Sequence, residues 1–291
     1  MKTLTPIAAA LLFAISGSVF AAGNTTTQNQ SGVGNNAAAN QTGFLTVNNT
    51  ITQDQSGFFN NASATQSVQF NSSITQVQDG ALNNAAAFQT FGAGNSANSM
   101  QSGLLNNSLT VQSLQLGSNS MHMQDGALNS AVTVQTLGFG NNANINQSGL
   151  LNSASVTQVF SFFNTATINQ TGILNNADAL QSGLGHTSSM TQNGILNDAD
   201  TRQFGFGNDA TIAQSGIGNE ADISQAGVNN AAFERQVGIG NDVYVGQIGF
   251  GHLAVTSQTG LGNNALVGQF GLAETALVTQ IGAFNNSVVF Q

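Results

Sequence analysis

The chain has 291 residues, of which 34 are Gly, one is Pro and none is Cys or Trp, and only 5% are charged. Twelve acids against three basic residues give a net charge of −9, which excludes nucleic-acid binding through clustered Lys and Arg. Disulfides are excluded by composition, and apolar residues are scattered singly among Asn, Gln, Gly, Ser and Thr, a pattern that makes many narrow layers and no thick core.

Residues 1–21 read as a secretory signal: Lys2 supplies the charge, Ile7 to Ile15 the apolar stretch, and Val19-Phe20-Ala21 a small-residue cleavage site. The stretch is too short to span a membrane. Residues 22–29 form a short N-terminal segment, and 30–291 a single repeat domain. The mature protein is expected to be exported.

The repeat unit is Q-x-G-x-x-N-x-A-x-x-x-Q. Over 30–170 its steps mostly alternate between 11 and 12 residues and charge is sparse; over 170–291 they are a regular 11 and acidic. The glutamines form a ladder: Gln147, Gln158, Gln170, Gln181, Gln192, Gln203, Gln214, Gln225, Gln236, Gln247, Gln258, Gln269, Gln280 and Gln291. The asparagines form a second: Asn141, Asn152, Asn164, Asn175, Asn197, Asn208, Asn219, Asn230, Asn241, Asn263 and Asn285. A fixed short period of this kind marks a solenoid or stacked array.

An eleven-residue period also suits a right-handed coiled coil, but a Gly in every repeat forbids that helix. The local alternation has period two instead. Along 141–147 one face takes Asn141, Ala143, Ile145 and Gln147 and the other takes three Asn. Gly-containing turns such as 101–106 separate the strands, and in most longer steps the Gly slides one place later (Gly92, Gly138), as an added turn residue requires. Two steps close one rung of 22 or 23 residues. The predicted fold is all-β: a two-sheet β-solenoid of about eleven strand-turn-strand rungs in cross-β stacking, near 55 Å long at the usual strand spacing. Amide ladders of Asn and Gln satisfy buried polar groups and fix register. No capping segment is evident, so the ends are expected to template further copies in an open-ended homopolymer.

At these residues the chain resembles the curlin family, the subunits of bacterial curli fibres. That family's repeat, S-x5-Q-x-G-x-x-N-x-A-x3-Q, is followed closely in its second half by 236–241 and 258–269, and the likeness covers about 30–291. The resemblance implies export through an outer-membrane secretion pore, nucleation by a surface partner, and an extracellular amyloid role in biofilm matrix and adhesion. The chain differs in carrying more rungs than the well-known curlins and a shorter leader. Its final repeat is regular and uncharged, unlike the basic last repeat of the nucleator subunit, which favours the major fibre subunit over the minor nucleator.

No nucleophile-base pairing, phosphate loop or cofactor motif stands out, so neither catalysis nor a cofactor is expected. His186 and His252 occupy Asn slots and His122 an inward strand position, too scattered for a metal site. Asp178, Asp200 and Asp222 are expected to stack in one outward column, and Asp198, Glu220 and Asp242 in the next, with like charges at the strand spacing resisting ionisation together. These columns read as gatekeepers that slow premature aggregation; the other reading is a site for Ca²⁺, whose ligands are carboxylate oxygens. Glu234 falls inward in the frame, which calls for a register slip near Asn229-Asn230 or a protonated side chain. The paired apolar residues at turns (Phe58-Phe59, Leu104-Leu105, Leu150-Leu151, Phe162-Phe163) either plug the rung ends, the preferred reading, or form lateral patches. A monomeric solenoid adhesin is the rival to the fibre subunit; the varied outward residues and missing caps weigh against it.

Overall fold

A computed structural model describes residues 22–291; the signal expected over 1–21 lies outside them. Twenty-four strands run from Thr25–Val33 to Asn286–Phe290. They alternate between two 12-stranded sheets, and each strand pairs in parallel with the strand two places on. Two consecutive strands make one rung, so the solenoid has twelve rungs. This is one more than the sequence count, because the first strand opens at Thr25, ahead of Gln30.

Register follows the repeat: Ala143 pairs with Ala166, Ile145 with Ile168, Gln147 with Gln170 and Gly149 with Gly172. Inward positions are buried and outward ones are not, with the period of two that a half-buried strand requires. Alanines such as Ala143, Ala154, Ala166 and Ala177 are fully covered and let the two sheets approach closely. The Gly after each Gln has a different task. Gly149 has φ +121°, and a Cβ there would collide with the carbonyl oxygen of Gly172 in the next rung. Only Gly lets the backbones pass at that distance.

The extra residue of the longer steps is not in the turn. The pairing runs Thr136↔Ser113 and then Gly138↔Gln115, skipping Leu137. Val68, Phe91, Leu114, Leu137 and Phe160 are bulged residues with φ of 50–55°, one above another in the second sheet. The turn cannot absorb an insertion, since the slot Asn that closes it is hydrogen-bonded to both neighbouring rungs. A ten-residue strand can, by a left-handed bulge.

Just after the bulge, Gln69, Gly92, Gln115, Gly138 and Ser161 form an inward column. With its amide oxygen turned to the bulge, Gln69 accepts from the N–H groups of Thr90, Phe91 and Gly92, at 3.1, 3.2 and 3.2 Å; Gln115 does the same for Thr136, Leu137 and Gly138. Long and absent side chains alternate, so each Gln fills space its Gly neighbour leaves. The bulges stop after Phe160. There the register shifts between Ser153–Phe162 and Asn176–Leu184, and Ser161 Oγ and Asn164 Nδ2 are buried without a partner. This seam separates the 23-residue rungs from the 22-residue rungs.

Candidate functional site

The structure collects the repeat glutamines into one column per sheet. Gln147, Gln170, Gln192, Gln214, Gln236, Gln258 and Gln280 stack in the first; Gln158, Gln181, Gln203, Gln225, Gln247, Gln269 and Gln291 stack in the second. Gln147 shows the bonding. Its Nε2 donates to Gln170 Oε1 at 2.8 Å and to the Ser130 carbonyl of the facing sheet at 2.9 Å. Each amide therefore ties its rung both to the next rung and across the core. In the first rungs Gln28, Gln53 and Gln76 add a third ladder that the sequence reading missed, although Gln-x-Gln at period two (Gln28/Gln30, Gln53/Gln55, Gln76/Gln78) announces it.

The slot asparagines close the turns. Asn219 Nδ2 donates to Asn197 Oδ1, Ser215 O and Gly238 O at 3.0–3.3 Å, while its Oδ1 accepts the Asn241 backbone N–H at 3.2 Å. Asn152, Asn175, Asn197, Asn219, Asn241, Asn263 and Asn285 lie in one unbroken column. Asn141, Asn164, Asn208 and Asn230 lie in the opposite one, where His186, His252 and Glu274 also sit. His186 imitates Asn: Nδ1 accepts the Asn208 N–H at 3.2 Å and Nε2 faces the Ser182 carbonyl at 3.1 Å. Burial lowers its pKa, in keeping with that neutral tautomer. His252 repeats the arrangement with Ile248 and Glu274, and its Nδ1 lies 3.2 Å from the Glu274 carboxylate.

His122 lies elsewhere, in a fully buried polar belt with Ser108, Thr110, Ser120 and Thr133. Its ring nitrogens are 2.8 Å from Ser108 Oγ and 2.7 Å from Thr133 Oγ1. Desolvation lowers its pKa to about 3, so it is neutral. The belt divides the core into an apolar cluster around Ile51 and Ile74 and a longer one from Ala131 to Val278. Among the described residues, no three of His, Asp and Glu converge as a metal requires.

Glu234 points inward with no slip. Its strand pairs evenly with both neighbours, Ile212 on one side and Thr256 on the other. The residue is 2% exposed and both carboxyl oxygens lack partners, as does Thr256 Oγ1 beside it. Desolvation first, then Asp222 and Asp242, hold its pKa well above the usual 4.5, so the neutral acid is the form the core accepts.

On the outer face of the second sheet, register places Asp178, Asp200 and Asp222 in one column and Asp198, Glu220 and Asp242 in the next. Arg202 contacts Asp200 directly and lies 3.6 Å from Asp222. Partial burial raises Asp178, Asp222, Glu220 and Asp242, and moves Asp200 up to about 6 against the pull of Arg202. Desolvation leads; the like-charge repulsion emphasised from sequence is second for Asp178 and Glu220 and lower for Asp200 and Asp222.

The apolar turn residues do not plug the rungs; the slot residues occupy that place. Phe59, Leu82, Leu105, Leu128, Leu151, Leu174 and Leu196 take φ of 54–58° in successive rungs and stand 41–60% exposed at one narrow edge. A left-handed leucine costs ~1 kcal/mol or more. In the same column Gly218, Gly240 and Gly262 take that conformation without strain.

The two ends have complementary polarity. Each Gln donates its amide toward the C-terminal side, and each slot Asn accepts a backbone N–H from that side. The first described rung thus presents the amide oxygens of Gln30 in the first sheet and Gln41 in the second. The last presents, in the same two columns, the amides of Gln280 and Gln291, and it also presents the slot oxygens of Asn285 and Glu274. Among the described residues, no helix is long and apolar enough to cross a membrane.

Residues 164–194, 197–227 and 218–249 match the family model described as Curlin associated repeat. No curated protein matches the sequence.

Proposed function

The chain is a member of the curlin family, and from that premise we propose that it is a secreted structural subunit. It stacks rung on rung into an extracellular curli-like amyloid fibre that serves biofilm matrix, adhesion and surface colonisation. The observation that carries this reading is the match between the two end rungs. Open strand edges, amide columns of the same spacing and opposite hydrogen-bonding polarity let the last rung receive the first rung of another copy. The work is done by backbone and amide hydrogen bonds, so no catalytic group takes part. The partner is another copy of the chain; a surface nucleator and an outer-membrane secretion pore are inferred from the family. The acidic columns act as gatekeepers during export.

Seeded growth tests the proposal. Purified 22–291 should polymerise after a lag that preformed fragments remove, with a rate proportional to free chain. A protein that stays monomeric for days with seeds present is instead a self-contained solenoid adhesin, and the fibre reading fails.

A further inference from the structure

The strained leucines at one narrow edge have no task inside the rung. At Gly218 and Gly240, in the same column and each followed there by another Gly, an added Cβ would meet nothing within 4 Å, whereas at Gly34 and Gly262 it would meet the rings of Phe59 and Phe284 in the next rung. Side chains of the column can thus reach one another from rung to rung, but the rung itself closes without one, and Gly is the unstrained choice. Even so, six rungs in succession place Leu82, Leu105, Leu128, Leu151, Leu174 and Leu196 there in the left-handed conformation, all exposed. The column beside them, from Ala81 to Ile195, is also wholly apolar. Stacking along the column covers part of each leucine, and the face that stays exposed points outward, to something the leucines touch.

We propose that this leucine ribbon is the lateral contact between fibres, meeting the same ribbon of a second stack of this chain; the inference rests on the fibre reading above. Three observations select that occupant. The leucines recur at the rung spacing within each copy, so two parallel stacks mesh wherever their six-rung ribbons come level, once per copy. The ribbon carries no charge, whereas the outer face of the second sheet carries six stacked acids, and like charges keep two such faces apart. A chain of net charge −9 is also repelled by anionic lipid.

Area sets the conditions. Six rungs by two residues cover about 24 Å by 7 Å, on the order of 170 Å² per copy. A stable interface needs about 800 Å² per partner, so one pair of molecules does not hold together. Roughly five stacked copies reach that area, and the ribbon acts only after elongation.

Two variants test this, one replacing all six leucines by Gly and one by Asn. Both residues accept the left-handed conformation, so the rung survives, which an unchanged 4.7–4.8 Å reflection checks. Mass per length by electron microscopy should show wild-type fibres paired or bundled and both variants single, with at least a tenfold fall in paired fibres. Wild-type chain too short in assembly to reach about five copies should stay unpaired by light scattering, as the area requires. Variant fibres that bundle like wild type overturn the proposal, as do stable dimers of unassembled wild type. Loss of binding to neutral phosphatidylcholine vesicles with bundling intact assigns the ribbon to a membrane and overturns it equally. If wild type grows no fibres in the seeded assay, the fibre reading itself falls and this proposal falls with it.

Discussion

Single side chains here act through the columns they join. Asn219 is bonded to the rungs on both sides, so Asn219→Ala orphans a backbone N–H and at least two carbonyls. At ~1–3 kcal/mol per buried orphan, the loss should be several kcal/mol in a denaturant titration. Asn219→His should lose less than half as much, because His186 and His252 already do the same task in the opposite column. Equal losses would refute the slot account. Glu234 gives a pH prediction with a definite sign. Its pKa is higher folded than unfolded, so its stabilising state is fully present below about pH 4.5 and is lost as pH rises toward the folded pKa. The loss is about 1.4 kcal/mol per pH unit across that window. Glu234→Gln should match wild type in acid and become progressively more stable than it as pH rises; a gap independent of pH would contradict the burial of a neutral acid. The inward place of Glu234 was legible in the period-two frame. The polar belt around His122 was not, because it joins residues from three strands whose facing partners no single repeat specifies.

At the scale of strands and turns, the seam after Phe160 is a weak joint. Bulged and unbulged strands meet there with a register shift and two unpartnered polar atoms. Hydrogen exchange should therefore be faster over 158–165 than in the rungs on either side. Deleting Phe160 should move the fast region about one rung toward the N-terminus, since the last bulge would then be at Leu137. A fast region that does not move, or none at all, would show that the bulge pattern does not control local opening. The change from alternating 11 and 12 to a steady 11 was plain in the sequence, but its structural meaning was not. An insertion between Gln and Asn reads as turn or strand equally well until the hydrogen bonds of the slot Asn are known. For the same reason the apolar turn residues looked like plugs: a linear pattern shows which residues are apolar, whereas their left-handed backbone, which turns them out, follows from the stacked geometry.

Over the whole molecule, charge is uneven. The two stacked acidic columns lie at or beyond Asp178, and partial burial raises the pKa values of Asp178, Asp200, Glu220, Asp222 and Asp242, Asp200 reaching about 6. Groups raised on folding favour the folded and stacked state in acid and oppose it as pH climbs through about 4 to 6 and above. Assembly should thus be fastest in mild acid. Replacing Asp200 and Asp222 together by Asn should flatten most of that dependence, and a variant with the wild-type profile would remove the columns from the explanation. By the same logic, 22–170 should show a shorter lag than 181–291, and the reverse order would contradict gatekeeping by the acids. The two-sheet solenoid was legible at this scale because one period fixes strand, turn and column together; the count of rungs and the polarity of the ends needed coordinates. The central claim is that these rungs stack between molecules as they do within one. Fibre diffraction on aligned 22–291 tests it most directly: a 4.7–4.8 Å meridional with a roughly 10 Å equatorial reflection is predicted. Aligned material that lacks the meridional reflection, or a chain that stays monomeric throughout, would contradict it.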